Sequence, residues 1–226
     1  MPFLIKETYE VLEALESEKP EEVRSELSDL LLQILLHAEM AAERDEFDIR
    51  AVMDAVREKM VRRHPHVFAG LAVAGTQEVL GNWSRIKAEE RRAKQEDASV
   101  LAGVPLSLPA LLRAERLGEK AARVGFDWPN ALAALDKVHE ELVELRAALE
   151  EERVEEVEAE VGDCLFALTS LARKSGLSAE LALRRALERF VDRFRFVEHE
   201  LERQGRSAHD ASLEEIEALW QQAKRR

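Results

Sequence analysis

Cysteine is nearly absent from this sequence: Cys164 stands alone among 226 residues, so no intrachain disulfide can form and a disulfide-stapled fold is excluded. Glycine (nine), proline (six) and aromatic residues (5%) are also scarce. With them goes the punctuation of a sheet protein, and no alternating β-branched runs take its place. Abundant Ala, Leu, Glu and Arg predict an all-α fold instead. The opening "MPFLIKETYE" has neither a cationic leader nor an apolar stretch long enough for export or spanning, so a cytoplasmic protein without a membrane partner is expected. Positive charge is in deficit too. Thirty-three Lys and Arg against 46 Asp and Glu leave −13, which repels nucleic acid polymers and anionic membranes but leaves free nucleotides open as ligands.

What is present is a duplication. Residues 5 to 38 align without gaps on residues 139 to 172 at a constant offset of 134. Glu7 falls on Glu141, Glu10 on Glu144, Glu26 on Glu160 and Asp29 on Asp163. Each copy therefore carries Glu-x-x-Glu and then Glu-x-x-Asp, sixteen residues from the second Glu to the third in both. The stretch "EVRSELSDLLLQILLHAEM" reads as one helix whose apolar residues wrap most of its circumference. Only a strip of Glu26, Asp29, Gln33 and His37 stays polar, so the helix is expected to be buried.

Helices are predicted near 3–17, 21–43, 48–62 and 78–97 in the first half, and near 108–123, 129–150, 154–174, 178–203 and 212–224 in the second. Pro20 starts the second of these, Pro65 disfavours helix at His64, and Ser212 with Glu215 forms a capping box for the last. The turn in "EEERVEE" has no Gly or Pro and is placed by the repeat alone. "SVLAGVPLSLP" is the interdomain linker, dividing the chain into 1–98 and 99–226.

Carboxylates at i and i+3 share a helix face, and two antiparallel helices can bring four together. Four close charges in an apolar setting need a neutraliser, and oxygen-only ligands suit magnesium, or manganese, better than zinc. A di-iron bundle would want Glu-x-x-His on facing helices, which the chain lacks. The competing explanation is that a chain this acidic yields such pairs by chance on solvated faces.

"KETYEVLEAL", "ELSDLLLQILLHAEMA", "RRHPHVF", "NWSRIK", "SLPALLRAERLGEKAARVGFDW" and "EVGDCLFALTSLAR" together resemble the MazG family of nucleoside triphosphate pyrophosphohydrolases. The resemblance implies two tandem MazG-like helical-bundle units in a magnesium-dependent homodimer that cleaves a nucleoside triphosphate to the monophosphate and pyrophosphate. It makes Glu141, Glu144, Glu160 and Asp163 catalytic metal ligands, with Glu7, Glu10, Glu26 and Asp29 as their first-half counterparts. Glu141 is the expected water-activating base. Arg189 and Arg193, at i and i+4, are the candidate phosphate grips, with Lys87 and Lys120 weaker candidates, and Trp220 could stack on a base. For these residues ordinary surface ion pairs and helix anchoring are the structural alternatives. His64 and His66 are read as structural, Cys164 as a small core residue, and Trp83 and Trp128 as packing anchors. The competing functional class is a non-catalytic helical nucleotide-binding or scaffold protein.

The second half should be the working one. Its opening segment, 108–130, would map to positions −26 to −4 in the first half, so the first domain is expected to lack its opening helix here, either by loss or because the true start lies upstream. At an offset of 131, Arg189 and Arg193 meet Glu58 and Arg62, leaving one cation. The helices carrying Glu26 and Glu160 are apolar on more faces than one hairpin covers, which favours a homodimer, or else pairing of the two halves.

Overall fold

The computed structural model describes residues 2–93 and 99–225. All regular structure among them is helical. The chain divides into two compact units, Met1–Ala98 and Ser99–Arg226.

In the first unit α1 (Pro2–Ser17) and α2 (Pro20–Ala42) form an antiparallel hairpin. Its turn is tight because Glu18 takes φ 55° and Pro20 sits in the first turn of α2, where its missing N–H costs nothing. Ser17 and Lys19 both bond Glu22, at 2.8 and 2.7 Å, and so tie the turn down. α3 (Ile49–Arg63) begins at Asp48, whose carboxylate accepts the Ala51 N–H at 2.9 Å. It ends at His64, where a ring nitrogen meets the Met60 carbonyl at 2.8 Å, in keeping with a structural histidine. Pro65 then starts a four-residue helix, α4 (Pro65–Phe68), which the sequence reading did not anticipate. Proline ends a preceding helix and suits a first turn equally well. α5 (Thr76–Ala93) packs on α3, with Glu90 bound by Arg62 and Arg63 at 2.5 Å each and held at a pKa of about 2, chiefly by Arg63. The last residues of the expected 78–97 helix lie outside the described residues.

The second unit repeats the hairpin as α7 (Ala131–Glu150) and α8 (Val154–Lys174), preceded by α6 (Ala110–Ala122). Glu152, the offset partner of Glu18, takes φ 53° and makes the turn that carries no glycine. α6 packs on α8 and on α9 (Ala179–Glu202), and α10 (Leu213–Ala223) lies along α9. Asn130 caps α7 and the Ser212–Glu215 capping box starts α10. A short 3-10 turn, Ala208–Asp210, was not foreseen. The core is small-sided: Ala134, Val138, Ala148, Cys164 and Ala167 between α7 and α8, then Val197 and Leu201 on α9.

α1 alone does not bury α2. Leu27, Leu31, Leu32, Ile34, Leu35, Leu36 and Met40 are 42–53% exposed, because α1 covers only one side of it. On α8, Val161, Leu165, Phe166 and Leu168 are exposed as well. No helix among the described residues is long and apolar enough to cross a membrane.

Candidate active site

Three carboxylates gather at the heart of the second hairpin. Glu141 and Glu144 stand one turn apart on α7, and Glu160 faces them from α8; each offers an oxygen within 4.8 Å of the others. Glu141 is only 6% exposed, and Lys137, one turn back, holds it at 2.7 Å. Its neighbours Glu140 and Glu141 push the Lys137 ammonium pKa upward, so the lysine is firmly charged. Glu160 is less comfortable. Burial raises its pKa first, the charges of Glu144, Glu141 and Asp163 raise it further, and its Oε2 is buried without a hydrogen-bond partner. An oxygen left bare beside two other carboxylates is what a cation-binding cluster offers before its ion arrives. Asp163 lies outside this group of three, exposed at the rim of the adjoining cavity.

That cavity holds about 420 Å³. Lys137, Glu141 and Asp163 give it a charged lining, whereas Phe126, Trp128 and Phe166 give it an aromatic one, and Gly118, Ala121 and Ala167 leave the space open. Among its charged side chains are also Asp127 and Arg173. Trp128, expected to be a packing anchor, is thus a cavity residue; it is 38% exposed because the loop between α6 and α7 carries it over the opening instead of into the core.

The first unit gathers a different trio. Glu7, Glu26 and Asp29 come together, while Glu10 is drawn aside to Lys6 at 2.7 Å. Burial and a hydrogen bond with Glu10 raise the Glu7 pKa, and Lys6 lowers that of Glu10. The surrounding cavity, about 720 Å³, is lined by α1 and α2 alone and has no aromatic residue among its lining. The position equivalent to Lys137 is Phe3, 63% exposed.

The candidate substrate residues fall elsewhere. Arg189 and Arg193 lie on α9, and neither lines the cavity. Their proposed counterpart Arg62 is committed to Glu90. Trp220 meets Phe190 with ring centroids 5.1 Å apart and is absent from the cavity lining. Lys120 donates to the Ala102 carbonyl at 2.8 Å, and Lys87 sits 4.5 Å over the Trp83 ring in the first unit. Sequence reasoning missed Lys137, though its i, i+4 relation to Glu141 was readable. It also missed Phe126 and Phe166, which carried no separate signal.

A helical hairpin that sets a cluster of carboxylates and a fixed lysine beside an aromatic cavity defines a class: all-α proteins whose carboxylates could hold a metal ion next to a ligand-sized cavity. Comparison with known sequences narrows the class. The MazG nucleotide pyrophosphohydrolase domain matches residues 1–68 and 130–198, which together exceed half of the chain, and the chain belongs to that family. It is 43% identical to the nucleoside triphosphate pyrophosphohydrolase of Escherichia coli K12 over 229 residues, covering 99% of this chain and 86% of that one. To the nucleoside triphosphate pyrophosphohydrolase/pyrophosphatase MazG of Thermotoga maritima it is 37% identical, covering 99% and 84%. The nucleoside triphosphate pyrophosphohydrolase of Mycolicibacterium smegmatis matches at 36% over 70% of this chain and 51% of its own length.

Proposed function

We propose that the chain hydrolyses nucleoside triphosphates, ribo or deoxy, between the α and β phosphates, releasing the monophosphate and pyrophosphate, and that it does so in the second unit. The observation that carries this reading is the one cavity in which Lys137, Glu141 and Asp163 share the lining with Phe126, Trp128 and Phe166. The relatives named for this activity agree with it.

The residues present fit a divalent cation: Glu141, Glu144 and Glu160 would hold it with Asp163 at the rim, and the unpartnered Glu160 oxygen is an open ligand atom. Magnesium, or manganese in its place, suits an all-oxygen set and when bound supplies neutralisation of phosphate charge and polarisation of the attacked phosphorus. The protein's own groups do the rest. Lys137, held against Glu141, presents a fixed positive charge to the triphosphate. Glu141 is placed to orient the attacking water and accept its proton, and no covalent nucleophile is needed. The aromatic lining stacks on whatever base arrives, and stacking tolerates any base because each has a π face. Broad base specificity follows. Trp220 touches Phe190 and lies outside the cavity lining, so the base is assigned first to Phe126 and Trp128, with Trp220 a second stacking surface from α10. Arg189 and Arg193 contact phosphates only if the substrate extends beyond the cavity to α9.

The exposed leucines of α2 and the exposed apolar residues of α8 support a homodimer, whose expected mass by light scattering at micromolar concentration is twice 25.7 kDa. A cytoplasmic location suits substrates of this class.

Incubation with a panel of ribo- and deoxynucleoside triphosphates and magnesium, scored for pyrophosphate against orthophosphate, tests the reaction. Pyrophosphate should be the first product from several bases. Orthophosphate first would refute the bond assignment, and binding without turnover would favour a helical nucleotide-binding scaffold.

A further inference from the structure

Residues 123–130, between α6 and α7, carry the aromatic wall of the cavity, yet little apolar contact fixes them. Phe126 is 81% exposed. Its ends are held by backbone, with the N–H groups of Val124 and Phe126 bonded to the Ala121 carbonyl at 3.1 Å, and by the Asn130 cap, while its middle is tied to α8 by one carboxylate. Asp127 accepts two hydrogen bonds from Arg173 at the end of α8, one of them from Nη1 at 3.2 Å, and a third from Lys174 Nζ at 3.0 Å. It also accepts the N–H of its own neighbour Trp128 at 2.9 Å. The side chains of Asp127 and Arg173 are 20% and 16% exposed, so this two-pronged pair is largely out of water, where such pairs are strongest and most directional. Arg173 holds the Asp127 pKa down at about 2 despite burial.

α6 is shaped around the same arginine. A Cβ on Gly118 would lie 3.1 Å from Arg173 Nε, tighter than an ordinary contact. Glycine inside a helix is otherwise a disadvantage relative to alanine, so its presence in "LLRAERLGEKAA" has a packing reason: it leaves room for the guanidinium to reach Asp127. Arg173 Nε is itself buried without a partner. The first unit has Glu39 at the position of Arg173, and Asp127 and Gly118 lie outside both segments matched by the family.

We propose that Asp127, Arg173 and Gly118 form a clasp that positions the Phe126–Trp128 wall and thereby sets the affinity for the nucleoside part of the substrate. They are positioning residues, acting through the loop. The proposal rests on the cavity being the nucleotide site argued above.

The test uses the full chain with ATP and magnesium. Asp127→Asn keeps an acceptor for Trp128 but loses the charge; KM should rise about tenfold with kcat within about twofold. Gly118→Ala should raise KM in the same direction while leaving the thermal midpoint unchanged or higher, a combination that a merely structural role does not produce. Asp127→Asn with Arg173→Gln should cost no more than the larger single change, because both break one contact. KM effects that multiply would show Asp127 touching substrate on its own account and would overturn the clasp. So would a fall in kcat at unchanged KM. A separate arm needs no substrate: in Asp127→Asn, amide exchange at residues 123–130 should accelerate about tenfold, with the rest of the chain unaltered. Unchanged exchange would show that the loop is held by something else. Because this arm is independent of turnover, failure of the clasp and failure of the proposed reaction are distinguishable.

Discussion

Lys137 and Phe3 occupy equivalent places in the two copies, and the difference between them decides what each carboxylate cluster can do. Lys137 gives the second cluster a cation bonded to Glu141 at 2.7 Å and facing the cavity. In the first, Lys6 turns to Glu10 and Phe3 offers no charge. A triphosphate brings several negative charges to either cluster, and the first copy's lysine, Lys6, lines its cavity but is bonded to Glu10, outside the carboxylate trio, so that copy is the weaker host. Glu160→Gln should therefore lower turnover by about a hundredfold or more, whereas its counterpart Glu26→Gln should leave most of it. Lys137→Met should fall by roughly a hundredfold too, since it removes one preorganised charge. Rates on the three folded variants, measured side by side, check this. Equal losses from Glu160→Gln and Glu26→Gln would make the first unit a working site.

The elements show where local chemistry was sufficient and where it was not. Helix starts at Pro20, Asp48, Asn130 and Ser212 carry their signals within a few residues, and those boundaries were readable from the chain alone. The hairpin turns were harder, since Glu18 and Glu152 both sit at positive φ, a conformation glutamate tolerates at a cost. Replacing Glu152 with Gly should raise stability by about 0.5–1 kcal/mol, the relief of strain less the added freedom of the unfolded chain. A denaturant titration of the full chain reads it. The carboxylate pairs were legible because a duplicated i, i+3 spacing survives in the sequence. Lys137 was hidden because a Lys–Glu pair at i, i+4 looks like any solvated helix face. The Asp127 loop was invisible for a different reason: its anchor, Arg173, lies 46 residues away. Periodicity likewise measured how much apolar surface α2 has without saying what covers it. Within its own hairpin α2 is only partly covered, and the rest of the expected burial needs a partner surface.

For the whole molecule, that uncovered surface matters more than any single contact. Seven large apolar residues of α2 stand 42–53% exposed, and α8 adds more, far beyond the scattered leucines that solvated surfaces carry. If a second copy buries them, folding and association become a single equilibrium. Stability then ceases to be a property of the chain and becomes a property of the solution. Each tenfold increase in protein concentration would favour the paired, folded state by about 1.4 kcal/mol per dimer and lift the thermal midpoint by about 1–2 °C. Scanning calorimetry over two or three decades of concentration should show that steady climb, and a flat midpoint would mean that no second copy covers the leucines of α2. On the climbing branch, dilution is itself a denaturant.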